Sequence, residues 1–184
     1  MFKEEIEKLI KGDVENSLDV LKKYSHDYSV FEVPPEVIVF PKDAEDVKSL
    51  VKFVNKKREQ GYFYVSLTPR GAGTCMSGGS LNTSIIMDMT RYMSGTLEVK
   101  KINPFAQKPV IGGKSYKISG EATVLPGTFY RDFEKETLKQ ALLMPCYPVH
   151  RRWYGRKQRS RGEKSKIRTK QRRYKKFQSG ARRR

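Results

Sequence analysis

The eleven residues Pro69-Arg70-Gly71-Ala72-Gly73-Thr74-Cys75-Met76-Ser77-Gly78-Gly79 carry the most visible chemistry in this chain. Four glycines, a threonine and a serine follow directly on the apolar-alternating segment Tyr62-Phe63-Tyr64-Val65-Ser66-Leu67. Glycine reaches positive φ without penalty and has no Cβ to hold a ligand away. Successive backbone N–H groups can then face one concavity, a nest that takes phosphate oxygens. A loop of this type leaving a strand is a candidate diphosphate cradle, and such diphosphates usually belong to nucleotide cofactors. The competing reading of the same residues is a glycine-rich surface turn.

Two standard phosphate motifs do not fit. The Rossmann pattern G-x-G-x-x-G fails because Gly71 and Gly73 are followed at the required position by Met76. The string Gly112-Gly113-Lys114-Ser115 ends like a P-loop, but position 108, where that motif needs a glycine, is a lysine. It reads as a turn.

The elements that must position the loop follow from periodicity. Phe2, Ile6, Leu9 and Ile10 recur at helical spacing, as do Val14, Leu18 and Leu21, which predicts two short helices broken near Gly12-Asp13. Val37-Ile38-Val39-Phe40, between Pro35 and Pro41, suits a buried strand. A helix should follow, capped by Asp43 with Asp46 three residues on, its apolar face Val47, Leu50, Val51 and Val54, closed by Lys56, Lys57 and Arg58. Further strands are expected at 62–67, 84–89 and 117–124, a turn at Pro126-Gly127, and a helix over 129–143. Residues 95–115 read as a loop or hairpin. Strands alternating with helices indicate a mixed α/β or α+β domain.

Charge is placed unevenly. Residues 149–184 hold 17 Lys or Arg against one acid, Glu163, so this tail carries +16 of the total +18. Residues 1–148 are nearly neutral. Cys75 and Cys146 lack CxxC spacing, which argues against a zinc site or a disulfide framework. No metal ligand set is expected. The chain has no secretory apolar region and no apolar run near 18 residues, so a cytoplasmic protein without an integral membrane segment is the expectation.

The landmarks Asp27-x-Ser29, Pro35 to Pro41, Ala44-Glu45-Asp46-Val47, the glycine loop, Ile85 to Arg91 and Val124-Leu125-Pro126-Gly127-Thr128-Phe129 occur in one order. In that order and spacing, residues 24–148 resemble the first part of the FAD-binding domain of vanillyl-alcohol-oxidase-like flavoproteins (the PCMH-type FAD domain). Within that group they are most similar to the D-lactate dehydrogenase and glycolate oxidase D-subunit branch. The resemblance implies an α+β fold, with an FAD site between two subdomains and a small 2-hydroxy-acid substrate. It implies that Arg70, Gly71, Ala72, Gly73, Thr74, Cys75, Ser77 and Gly78 wrap the FAD diphosphate. Val39 and Pro41 would lie near the cofactor, and Pro126-Gly127 would bring backbone close to it. Some relatives hold flavin covalently through His or Cys. Nothing cationic beside Cys75 in sequence suggests a lowered pKa, so a small buried thiol and non-covalent FAD are expected. No catalytic residue is assigned.

Three regions are expected: an N-terminal helical segment over 1–23, a partial FAD domain over 24–148, and a basic, disordered tail over 149–184. In the family, Tyr147-Pro148 should lead into a second glycine-rich stretch, roughly Cys-Thr-Val-Gly-Gly-Met-Val-x-Asn-Asn. Arg152 to Gln158 can be written in synonymous codons which, moved forward by one base, read Gly-Gly-Met-Val-Gly-Asn-Asn. The tail is therefore expected to be an out-of-frame translation of that motif, in a chain that is inactive alone and holds FAD weakly or not at all. The alternative is a degenerate domain whose basic tail binds nucleic acid, or another polyanion, without sequence preference.

Overall fold

The computed structural model describes residues 2–102, 110–111, 114–115, 119–144 and 167–170. The backbone groups into two compact units. Unit 1 comprises residues 1–95 and 126–129, and unit 2 comprises 96–125 and 130–184.

Unit 1 contains α1 (Lys3–Glu7), β1 (Asp13–Glu15), α2 (Leu18–Tyr24), β2 (Val37–Phe40), α3 (Ala44–Glu59), β3 (Leu67–Arg70) and β4 (Ile85–Asp88). Its sheet has the order β1-β2-β4-β3. β4 runs parallel to both β2 and β3, while β1 is antiparallel to β2. β2 and β4 are apolar at nearly every position because both faces of the sheet are covered. Val37, Val39, Ile85 and Met87 point to one face, where Phe2, Ile6 and Ile10 and then Leu50, Phe53 and Val54 of α3 bury them. Ile38, Phe40 and Ile86 point to the other, against Tyr24, Val20 and Leu21 of α2. Each fully buried aliphatic side chain contributes about 1.5–3 kcal/mol.

α3 begins as its sequence requires. The Asp43 carboxylate accepts from the backbone N–H groups of Glu45 and Asp46, leaving fewer donors orphaned in the first turn. Asp46 does not reach back to the cap. It is buried and accepts from the backbone N–H groups of Lys11 and Lys42, which ties the approach to β1 onto α3. Lys57 braces α1 against α3. Its Nζ lies 2.7 Å from Glu5 and 5.3–5.5 Å from the rings of Phe2, Phe53 and Tyr62.

Two elements differ from the periodicity. Val14, expected in a helix, lies in β1 opposite Val39, because the sheet edge offers it backbone partners and an apolar neighbour. The strand expected over 62–67 starts only at Leu67 and continues through Pro69 to Arg70. Pro69 is tolerated because β3 is an edge strand, where a missing N–H need not break a ladder. Tyr62 and Tyr64 instead pack their rings against Phe2. The first 23 residues, read as a separate segment, contribute α1, β1 and most of α2 to unit 1.

Unit 2 contains β5 (Thr96–Lys101), β6 (Val110–Ile111), β7 (Lys114–Ser115), β8 (Gly120–Val124), α4 (Tyr130–Lys139) and β9 (Ile167–Lys170). β8 pairs antiparallel with β5 and parallel with β9, and β6 pairs antiparallel with β7. Ala122, Phe133 and Leu142 form a small core there. Thus the stretch read as loop or hairpin supplies the six-residue strand β5. Within the tail, Ile167–Lys170 takes strand backbone. Gly112, Gly113, Cys146, Tyr147, Pro148, His150 and the remainder of the tail lie outside the described residues. No helix among the described residues is long and apolar enough to cross a membrane.

Candidate functional site

β3 and β4 are parallel neighbours, so the chain between them must travel back along the sheet. It does so through residues 71–84 without a helix. The glycine loop therefore opens at the carboxyl end of β3. Ligands of parallel sheets bind outside the carboxyl ends of the strands. The same edge carries Pro41, just past β2, and Met89–Thr90, just past β4. Gly127 joins them: its N–H donates to the Met93 carbonyl at 2.8 Å, and a Cβ on it would collide with the backbone of Met89 and Thr90. Three stretches far apart in sequence thus meet at one edge of unit 1.

The loop is rich in donors and poor in acceptors for them. Among the described residues, the backbone N–H groups of Ala72 to Met76 and of Gly78 have no acceptor within the chain, whereas that of Ser77 is turned to the Cys75 sulfur. Gly73 and Gly78 both have positive φ, +67° and +76°. The Gly79 N–H donates to the same sulfur, Cys75 Sγ, at 3.3 Å. Thr74 and Ser77 are exposed and present hydroxyls. A run of unpaired amides beside hydroxyls suits an anion with several oxygens, and the residues present therefore fit a diphosphate.

Cys75 differs from expectation. It is half-buried, and its thiol pKa is lowered from the ordinary value. The Ser77 hydroxyl is the main cause, followed by the backbone N–H groups of Ser77 and Gly79. The stabilisation comes from hydrogen bonds to sulfur, with no cation involved.

Val39 and Pro41 are placed at the edge but inward. Val39 is 0% exposed, and its backbone is paired on both sides, to Val14 and to Met87. The Pro41 side chain is also fully buried. Arg70 is buried as well. Its guanidinium points beneath the loop, donating from Nη1 to the Tyr24 carbonyl at 3.1 Å and from Nη2 to the His26 carbonyl at 2.7 Å. It also lies over the Tyr24 ring, 5.1 Å from the centroid.

Residues without an assigned role in the sequence support the loop. Asp27 accepts from the Ser29 N–H with one oxygen and from the Ser80 hydroxyl with the other, both at 2.8 Å. These hydrogen bonds, led by those of Ser29, hold its carboxyl below the usual range. The Tyr28 N–H donates to the Gly73 carbonyl at 3.1 Å. Asp27-x-Ser29 was visible only as a landmark of the resemblance; its link to Ser80, 53 residues on, was not.

A family model described as FAD binding domain matches residues 35–153. The D-2-hydroxyglutarate dehydrogenase of Haemophilus influenzae is 35% identical over 89 residues, covering 48% of this chain and 8% of that protein. The enzyme of the same name from Pseudomonas putida is 40% identical over 73 residues, covering 40% of this chain and 7% of that protein. This chain thus aligns with less than a tenth of the length of these relatives. Among solved structures, alkyldihydroxyacetonephosphate synthase superposes with a TM-score of 0.53 at 18% identity, covering 76% of this chain and 24% of that one. That likeness shows the fold. With the family match spanning β2, the glycine loop, β4 and the Pro126-Gly127 turn, the chain belongs to the FAD binding domain family.

Proposed function

We propose that this chain supplies the FAD-anchoring part of an FAD-dependent oxidoreductase acting on a small 2-hydroxy acid. The observation that carries the reading is the run of unpaired amides at the carboxyl edge of the parallel strands, in a chain of this family. Relatives named D-2-hydroxyglutarate dehydrogenase support the substrate class, within which D-lactate and glycolate also fall. When bound, FAD accepts the hydride. The residues of this chain bind and orient it. Amides from Ala72 to Met76 and that of Gly78, with the Thr74 and Ser77 hydroxyls, hold the diphosphate. Gly71 lets the backbone approach. Val39, Pro41, Pro126 and Gly127 form the shelf behind, and Arg70 acts from below. No residue of the chain is assigned to the chemical step, and the chain alone is not expected to turn over substrate.

Cys75 provides the test, because it sits in the loop with a thiol pKa lowered by its hydrogen bonds, which favours alkylation. FAD at saturating concentration is expected to slow iodoacetamide alkylation of Cys75 about tenfold, with half-protection near 0.1–1 mM. Riboflavin, which lacks the diphosphate, should not protect. Equal protection by both compounds, or by neither, removes the reading. Stoichiometric flavin on the purified chain, with turnover of D-lactate, removes the expectation of weak binding and inactivity.

We further propose that residues from about Val149 onward are translated out of frame. The family match stops at residue 153, within five residues of the point where the composition turns basic. Independent sequencing of the gene through codons 143–184 is expected to find Gly-Gly-Met-Val-x-Asn-Asn in the plus-one frame, within a long open frame. If that frame closes at once, the proposal fails and the tail is read as a polyanion-binding segment.

A further inference from the structure

A phosphate loop needs its amides held outward before the ligand arrives, because a glycine-rich chain otherwise samples many conformations. In this chain the loop has little regular structure of its own to do this. What restrains it is the segment 24–33, which runs from the end of α2 across the underside of the loop.

The contacts are spaced along the loop. At its start, the Arg70 guanidinium reaches 46 residues back to the Tyr24 carbonyl and 44 back to that of His26. Gly73 lies over this guanidinium so closely that a Cβ there would fall 2.5 Å from Nη2. The Tyr28 N–H binds the Gly73 carbonyl, turning that peptide's oxygen down toward the segment. Phe31 comes under Gly78, where a Cβ would meet its Cδ2 at 3.0 Å. Asp27 takes the Ser80 hydroxyl where the loop closes. The segment itself is braced by Val33 N–H to Ser25 carbonyl at 2.8 Å and by His26 against Glu32 at 3.2 Å.

A guanidinium has five donors in a planar fork and no acceptor. Here one donor on each terminal nitrogen goes to a separate backbone carbonyl, Nη1 to Tyr24 and Nη2 to His26. Its charge is therefore directed into the protein. We propose that Arg70 is a positioning residue rather than a diphosphate ligand. Together with Asp27, Tyr28 and Phe31 it forms a clasp that holds the glycine loop with its amides free. The proposal rests on the FAD reading for the identity of the ligand, but not for the clasp itself.

Hydrogen exchange on the ligand-free full chain reads the clasp directly. Arg70→Gln is expected to speed exchange of the Tyr28 and Gly79 amides about tenfold, leaving Ile38 and Ile86 in the sheet unchanged. Arg70→Lys should behave like Arg70→Gln, because one ammonium cannot reproduce the fork. Ser80→Ala loosens the clasp from its other end and should speed the same two amides, which covers the case of an Arg70 variant that fails to fold. Unchanged exchange in the variants overturns the clasp, as does full restoration by lysine. FAD protection of Cys75 separates positioning from mere structure: in Arg70→Gln, half-protection should need about tenfold more FAD. Altered exchange with unaltered protection overturns the positioning role. A wild-type chain that FAD does not protect, yet shows the exchange pattern, would remove the FAD reading and leave the clasp standing.

Discussion

Gly127→Ala is expected to destabilise unit 1 by at least about 3 kcal/mol, out of proportion to one methyl group. The reason is what the methyl would meet. A Cβ on Gly127 would overlap the carbonyl carbon and oxygen of Met89 and come within 2.8 Å of the Thr90 Cα. These are backbone atoms directly after β4, so no rotamer change relieves the overlap. Moving the turn away would break the hydrogen bond from Gly127 N–H to the Met93 carbonyl. Gly71→Ala is the control. Nothing lies within 4 Å of its Cβ position, and its φ is not positive. It should leave the unfolding free energy, read from the urea midpoint, within about 0.5 kcal/mol of the parent. Equal midpoint shifts for the two variants would show that the Pro126-Gly127 turn is not seated on β4.

Asp88→Ala should cost about 3 kcal/mol, because one buried carboxylate satisfies three donors. One oxygen accepts the Tyr24 hydroxyl at 2.5 Å; the other accepts the Thr90 N–H and hydroxyl, both at 2.6 Å. Removing it strands the Tyr24 hydroxyl between the sheet and α2, and the Thr90 N–H at the carboxyl edge. The pair also sets an alkaline limit. Burial, and then the bond to Asp88, raises the Tyr24 pKa well above the ordinary tyrosine value of 10. A raised folded-state pKa means that the native chain holds this proton more tightly than the unfolded chain does. The stabilisation is complete below pH 10 and is lost as pH rises from there toward the folded-state pKa. Urea midpoints measured between pH 8 and pH 11 should fall for the parent and stay flatter for Tyr24→Phe. Parallel slopes would exclude Tyr24 as the titrating group.

Much of this was legible from local pattern. Val37 to Phe40 and Ile85 to Asp88 read as buried strands because a sheet covered on both faces leaves no polar side. Asp43 marked the start of α3, since a carboxylate there meets orphan amides whatever surrounds it. The glycine loop announced itself by composition, and its place in the order of landmarks marked the family. These signals depend on neighbours within a few residues. Three features did not. Val14 sits in a strand because Val39, 25 residues on, offers an edge. Pro69 and Arg70 are strand because β4 pairs with them. The Arg70 side chain turns inward because two carbonyls more than 40 residues away accept from it. Backbone pairing and the satisfaction of a buried charge are non-local, and only the folded chain brings their partners together.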